Sequence, residues 1–309
     1  MGIFINGKCR SKARLDDKTA IVTGCNTGIG KYTVMDLCRR GARVVMACRN
    51  LDKAEEAAKQ IRDRLEHNQN AGKISIKHLD LSSLSSVRTC AGEILREEPC
   101  IHLLINNAGV MMCPHQLTED GYEYQLATNH LGHFLFTLLL LPRILNSAPA
   151  RVVNLSSMAH LIGSFDFDNI NKKQNSLLAY ARSKLSNILF SNELARRLKD
   201  TGVTVYSVHP GIVDTELDRH FDATIFSGSK AFLRSFGCLY KKTVKQGAQT
   251  TLYCALDEKT ANETGLYYSD CEAAVTSPKA TDPKLAKQLW DLSLQMVHWD
   301  HNTDPFKQG

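Results

Sequence analysis

A short apolar run, Lys18 to Thr23, leads into Thr23-Gly24-Cys25-Asn26-Thr27-Gly28-Ile29-Gly30, and a helical pattern follows to Arg40. A strand, a glycine-rich turn and a helix in that order place backbone N–H groups at a helix N-terminus, where they have no partner within the helix. Groups so placed, at the positive end of the helix, can hold a pyrophosphate. Tight turns need glycine whatever they bind, so glycine alone says little. Three glycines set between these elements single out Gly24, Asn26, Thr27, Gly28, Ile29 and Gly30 as contacts for a phosphorylated cofactor.

The same alternation recurs along the 309-residue chain. Ala42 to Cys48, Lys73 to Leu79, Ile101 to Ile105, Arg151 to Leu155 and Val203 to Val208 read as strands, with Leu266 to Tyr268 as a last one. Helical patterns fill Leu51 to Glu66, the segment around Tyr180, and a long stretch from Thr118 to Leu145 that carries Asn129 near its middle. Pro142 is expected to kink or break that stretch near its end. Asp282-Pro283, a cap followed by a first-turn proline, opens a final helix. Met158 to Leu178 reads as a loop able to wall a site. Strands alternating with helices, without internal repeats or long polar linkers, predict an α/β chain built on one Rossmann-type doubly wound parallel sheet with helices on both faces. Residues 1–16 are expected as a basic tail, and residues 17–309 as one domain that includes a substrate lid around 214–246.

In such a sheet ligands bind outside the carboxyl ends of the strands. About 20 residues past the glycines an acidic side chain normally holds the ribose hydroxyls of NAD. Here that place holds Cys48, followed by Arg49 and Asn50. With no carboxylate to repel it, a 2′-phosphate can pair with the guanidinium, so NADP(H) is the expected cofactor. The plain alternative makes Arg49 a solvated strand-end charge. Asp80 and Leu81 end the third strand, where Asp80 can contact an adenine, cap the next helix, or do both. Asn107, Ala108 and Gly109 end the fourth, and small residues there let backbone and cofactor approach closely. Pro210, Gly211, Val213 and Thr215 follow the sixth and join the expected cofactor contacts.

Tyr180-Ala-Arg-Ser-Lys184 carries the clearest chemistry. Side chains four apart on a helix lie on one face, one turn apart. An ammonium beside a phenol favours the phenolate, so a tyrosine that titrates near ~10 alone is expected to exchange its proton closer to neutrality. Tyr180 is thus a candidate general acid and base. Taken alone, the same spacing fits a surface Tyr and Lys on an ordinary amphipathic helix.

Composition removes several other classes. The net charge of +6 has no compact basic run with interleaved aromatics, which argues against nucleic acid and suits a phosphorylated cofactor or an anionic surface better. Ten cysteines without C-x-x-C pairs or histidine spacing argue against a zinc site, and they read as free thiols in a reducing compartment. No signal peptide is read in the basic first residues, and the most apolar run, Phe134 to Leu141, is too short to span a bilayer. From Phe221 to Gln246 aromatic and aliphatic residues alternate with Lys and Arg, as expected of a lid or of a peripheral membrane contact; a helix on the core is the alternative.

The T-G-x-x-x-G-x-G turn at Thr23 to Gly30, the N-N-A-G at Asn106 to Gly109 and the Y-x-x-x-K at Tyr180 occur together in the order of the short-chain dehydrogenase/reductases, which the chain resembles from about Asp17 onward. The resemblance implies a catalytic tetrad of Asn129, Ser157, Tyr180 and Lys184, with Ser157 a better match than Ser156. It also implies that Tyr180 and Lys184 touch the cofactor. Asn106-Asn-Ala-Gly-Val-Met-Met-Cys113, Asn129-His-Leu-Gly-His-Phe134 and Ala148-Pro-Ala-Arg-Val-Val153 resemble the retinol dehydrogenase branch. That branch implies a retinoid or related lipophilic aldehyde or alcohol as substrate, and members of the family commonly make homodimers. Many members of the branch carry an N-terminal membrane anchor; this chain departs from them there, so an intracellular site on the cytoplasmic side is expected, with 221–246 able to make peripheral contact with the endoplasmic reticulum and no transmembrane anchor. A carbonyl reductase for xenobiotic or other lipid carbonyls and a non-catalytic NADP-binding sensor remain as alternatives.

Overall fold

The strands read as nearly unbroken apolar runs because helices cover both faces of the sheet they form. The computed structural model describes residues 7–213, 242–300, 302 and 305–306. Its elements run β1 (Thr19–Thr23), α1 (Gly28–Arg39), β2 (Arg43–Cys48), α2 (Leu51–Leu65), β3 (Ile74–His78), α3 (Leu84–Glu97) and β4 (Leu103–Asn106). A short α4 (Tyr124–Leu126), a π-helical turn (Ala127–Leu131) and α5 (Gly132–Leu145) follow, then β5 (Ala150–Leu155), a 3-10 turn (Met158–Ile162), α6 (Ser176–Arg197) and β6 (Val203–His209). The chain closes with α7 (Val244–Leu256), β7 (Leu266–Ser269), β8 (Glu272–Ala273) and α8 (Pro283–Met296).

Alternate side chains of a strand point to opposite faces. In β1, Ala20 and Val22 join one core and Ile21 the other; in β2, Val44 and Met46 alternate with Val45 and Ala47 in the same way. The first core is closed by α1, α2 and α7, and the second by α3, α5, the later turns of α6, and α8. The strand order is β3-β2-β1-β4-β5-β6-β7-β8, with every pairing parallel except that of β7 with β8. The expected doubly wound sheet is therefore present, with an added antiparallel edge. From β1 the chain passes first to β2 and β3 on one side, then to β4 on the other. A sheet of this kind opens a crevice at the carboxyl edge where the winding reverses, here between Thr23 and Asn106.

Four expectations are corrected. Thr118 does not begin a helix: Gly121 takes a φ of +82° and closes a turn, Leu117 bridges Glu123, and the helix starts at Tyr124. Turn chemistry overrides helical periodicity there, and the Asp120 carboxylate instead accepts from the Leu84 N–H at the start of α3. The stretch is also divided at Asn129 by the π-helical turn. Pro142 does not break α5, which continues past it to Leu145. Finally, α6 begins at Ser176, capped by Asn175, within the segment expected as loop.

Residues 7–16, expected as a tail, lie against the body, with Cys9, Ser11 and Leu15 buried and the Arg40 guanidinium donating to the Ser11 and Ala13 carbonyls. Thr215 and nearly all of the 214–246 segment fall outside the described residues. Among the described residues no helix is long and apolar enough to cross a membrane.

A buried polar network pins the middle of the sheet to its helices. The Asn106 amide donates to Thr137 Oγ1 and Asn154 Oδ1, and the Asn154 amide donates to Ser191 Oγ on α6. Nearby, His130 is packed between Phe134 and Phe190 and shares a 2.9 Å hydrogen bond with Ser293. Burial pulls its imidazole down to about 3 from the ordinary 6.5. An unfolded chain would therefore take up a proton that the fold refuses. His130 contributes stability in full above about 6.5, and that contribution drains away as the pH falls from there toward 3. Urea denaturation at stepped pH should show this loss, and His130→Phe should flatten the slope by up to about 1.4 kcal/mol per pH unit.

Candidate active site

Two glycines bring the turn after β1 against the end of β4. Gly24 holds a φ of +58°, and a Cβ on it would stand 2.6 Å from the Ala108 Cβ; a Cβ on Gly30 would stand 2.5 Å from Asn107 Nδ2. The contact is hydrogen-bonded as well as close. Asn107 Nδ2 donates to the carbonyls of Thr23 and Gly24, and the N–H groups of Asn107 and Ala108 both donate to Thr23 Oγ1.

Beside this contact begins α1, whose N-cap residue Thr27 makes no side-chain cap and whose first turn carries no acid. By contrast α2, α3, α6, α7 and α8 are capped by Asn50, Ser83, Asn175, Thr243 and Asp282. An uncapped positive helix end fits the pyrophosphate of a dinucleotide. Val213 is brought to the same place, because a Cβ on Gly247 would meet Val213 at 2.5 Å and Ile29 at 3.2 Å. Gly211, at φ +88°, lies under the Lys242 side chain, and Pro210 precedes it at the end of β6.

Arg49 sits at the carboxyl end of β2 with its guanidinium donating to the Tyr124 hydroxyl at 3.0 Å and 3.9 Å from the Asp80 carboxylate. Asp80 does not cap α3; it accepts from the N–H and hydroxyl of Ser82, and Ser83 supplies the cap. Asn50 spends its side-chain oxygen on the Lys53 N–H, and Leu81 is buried in the core. The Arg49 guanidinium is half-exposed at this edge while bonded to Tyr124 and near the Asp80 carboxylate.

Tyr180 and Lys184 are both buried on α6. Ser157, the second residue after β5, interacts with the Tyr180 hydroxyl and favours its ionised form, and its own Oγ accepts from the Ala159 N–H. Ser156 points elsewhere and donates to the Lys184 carbonyl at 2.8 Å. Lys184 Nζ lies 5.6 Å from the Tyr180 ring centroid and donates to the Leu155 carbonyl. A Cβ on Gly109 would stand 3.5 Å from Lys184 Nζ and 3.3 Å from Asn129 Oδ1, so the glycine keeps a small space open between the two.

Asn129 occupies the π-helical turn, a local feature common at functional sites. Its amide accepts from the Val110 N–H at 2.8 Å and donates to the Val110 carbonyl and to Ser183 Oγ. Ser183 in turn donates to the Tyr180 carbonyl. Thr23, Val110, Ser183 and Tyr124 were not singled out from the sequence. Ser183 carried a signal, three residues after Tyr180 and beside Lys184, but the others become visible only when separate elements meet.

Burial sets the proton affinities. It pushes the Tyr180 phenol up to about 12, opposed by the Ser157 hydrogen bond, and pulls Lys184 down to about 8. The expectation that Lys184 draws the phenol toward neutrality is therefore corrected. Loss of solvation outweighs what favours the ion at Tyr180, so the phenol stays protonated, while Lys184, though lowered, is still mostly charged at pH 7.

The short chain dehydrogenase family model matches residues 18–225. The chain is 46% identical over 301 residues to Retinol dehydrogenase 12 of Homo sapiens, covering 96% of this chain and 92% of that protein. It is 47% identical over 294 residues to Retinol dehydrogenase 11 of Mus musculus, covering 94% and 90%. Among solved structures, an uncharacterised protein from Mycobacterium Paratuberculosis superposes with a TM-score of 0.73 at 33% identity, covering 94% of this chain and 98% of that one. The chain belongs to the short-chain dehydrogenase family. Within it the chain falls in the retinol dehydrogenase-like branch and is an oxidoreductase that works with a nicotinamide cofactor.

Replacing Asn129 by Ala would leave the Val110 N–H and carbonyl without their side-chain partner in a buried site. Urea denaturation of that variant should show a loss of about 2–4 kcal/mol, the cost of leaving two buried polar groups unpaired.

Proposed function

We propose that this protein interconverts retinal and retinol, or a related lipophilic aldehyde and alcohol, with NADP(H), and that Tyr180 gives and takes the proton. The observation that carries the reading is the buried Tyr180 with Lys184 Nζ 5.6 Å from its ring one helical turn on, and with Ser157 interacting with its hydroxyl. Names of the relatives supply the substrate class, and the surface near the site agrees with it. Met158, Leu161 and Ile162 on the turn after Ser157, Leu177 and Leu178 at the start of α6, and Ile212 after β6 are all exposed. Such a rim suits a long apolar substrate better than a sugar or an acid.

The bound nicotinamide would supply or accept the hydride. The first turn of α1 would hold the pyrophosphate, Asn107 to Gly109 would lie along the dinucleotide, and Arg49 would pair with a 2′-phosphate. In the reductive direction Tyr180, neutral because it is buried, donates its proton to the carbonyl oxygen. Ser157 donates a hydrogen bond to the same oxygen as charge grows on it. Lys184, charged below about 8, stabilises the tyrosinate left behind and would bind the nicotinamide ribose. Asn129 keeps Val110 and Ser183 in place around them and holds water that links Lys184 to solvent.

Loss of reduced-nicotinamide absorbance with all-trans-retinal tests this reading. Tyr180→Phe should bind NADPH nearly as well while turning over more than about a thousandfold more slowly; near-normal turnover would refute the assignment. If NADPH is consumed only with other carbonyls in a panel, the substrate class changes and the proton chemistry stands.

Two further outcomes are expected. Arg49→Ala should raise the KM for NADPH about tenfold and leave that for NADH within about twofold, as the loss of one charge-assisted phosphate contact requires. The reductive kcat should fall as pH rises through about 8, where Lys184 loses its charge, and Lys184→Met should abolish that limb together with most of the activity.

A further inference from the structure

His133 lies on α5 one turn after Asn129 and is buried. One ring nitrogen, Nε2, stands 2.8 Å from Thr23 Oγ1, and the other, Nδ1, stands 3.1 Å from the Asn129 carbonyl oxygen. The ring therefore spans from the turn after β1 to the π-helical turn. No other side chain described above touches both.

The direction of each bond follows from counting donors. Thr23 Oγ1 already accepts from the N–H groups of Asn107 and Ala108, both at 3.0 Å, which fills its acceptor capacity. Its own proton must go outward, and Nε2 is the partner, so Nε2 is the bare nitrogen. The proton then sits on Nδ1, where it is donated to the Asn129 carbonyl, a group that can only accept. Burial agrees, pulling the imidazole down to about 4, with the Lys184 charge acting in the same direction. A single chain of bonds results, running from Asn107 and Ala108 through Thr23 and His133 to Asn129.

We propose that His133 is the positioning residue that joins the dinucleotide cradle to the proton-transfer group, holding Thr23 with Nε2 and the Asn129 carbonyl with Nδ1. The inference rests on the roles proposed for Tyr180, Lys184 and the dinucleotide, and adds one that none of those residues fills. The two ends have different consequences. Losing Nε2 frees the Thr23 hydroxyl and loosens its hold on the Asn107 and Ala108 N–H groups, which is a change at the cradle. Losing Nδ1 removes the side-chain donor to the Asn129 carbonyl, which is a change beside Lys184 and Tyr180.

Amide side chains can remove one end at a time. His133→Asn places its nitrogen near the position of Nδ1 and cannot reach Thr23; His133→Gln reaches Thr23 but leaves Asn129 unserved. The measurements are the NADPH dissociation constant by fluorescence titration, kcat at saturating cofactor, and the thermal midpoint. His133→Asn should weaken NADPH about tenfold while kcat falls less than about threefold, and His133→Gln should lower kcat about tenfold while NADPH binding changes less than about threefold.

A purely packing role predicts a lower thermal midpoint in both variants with kinetic and binding changes that match each other, and that result would overturn the proposal. Thr23→Val gives an independent arm should either amide variant fold poorly. It should weaken NADPH at least as much as His133→Asn, and the double variant should bind no more weakly than Thr23→Val alone. Additive losses would show that Thr23 and His133 act separately and would also overturn it. Tyr180→Phe, run alongside, keeps the two readings apart: turnover surviving in that variant defeats the proton assignment, whereas the NADPH binding data on His133 stand or fall by themselves.

Discussion

The site depends on one close approach, that of the turn after β1 to the end of β4. Thr23 Oγ1 collects the two N–H groups of Asn107 and Ala108, and Gly24 lacks the Cβ that would stand 2.6 Å from Ala108. Were the two segments a side chain's width further apart, those N–H groups would be left without partners. The uncapped start of α1 and the Asn107 to Gly109 segment would then face away from a common ligand. Parallel pairing of β1 with β4, in which Val22 stands opposite Ile105, carries the two ends to the same level before any of these contacts form.

Burial is the second organising effect, and it acts on the chemistry as much as on stability. Tyr180, Lys184, Asn129 and His133 lie at or near zero exposure on helices that cover one face of the sheet. In such surroundings charge is disfavoured, so the phenol stays protonated, the amine titrates near neutrality and the imidazole stays neutral. A neutral imidazole can donate from one nitrogen and accept at the other, which a charged one cannot. The hydrogen bonds of this region therefore depend on its dryness, and its dryness depends on α5 and α6 being packed against the sheet.

Polar residues on α6 make that packing specific. Ser183, Ser186 and Ser191 bond to carbonyls within their own helix, and Asn187 reaches the Leu155 carbonyl on β5 beside Lys184. Arg182 pairs with Glu123, whose carboxylate also caps the short helix before the π-helical turn. The two elements that bear Asn129 and Tyr180 are thus fastened to each other just outside the site. Unpaired, any of these groups would weigh against the fold, so they favour one register of helix on sheet.

Much of this was legible in the sequence because it is local. Apolar runs of strand length, a glycine turn before a helix, and Tyr180 one turn from Lys184 depend only on spacing, and they led to the doubly wound sheet and to its carboxyl edge. Where local signals competed, the reading went astray: the periodicity after Thr118 was helical, but Gly121 and the capping acids beside it make a turn. The proton affinity of Tyr180 was misjudged for another reason, since proximity to Lys184 is written in the sequence and the loss of solvent is not. The order of the strands, the π-helical turn at Asn129, and the bridge of His133 between Thr23 and Asn129 belong to tertiary structure alone. Each arises from residues tens of positions apart meeting in a buried interior, where an unmet hydrogen bond costs enough to decide the geometry.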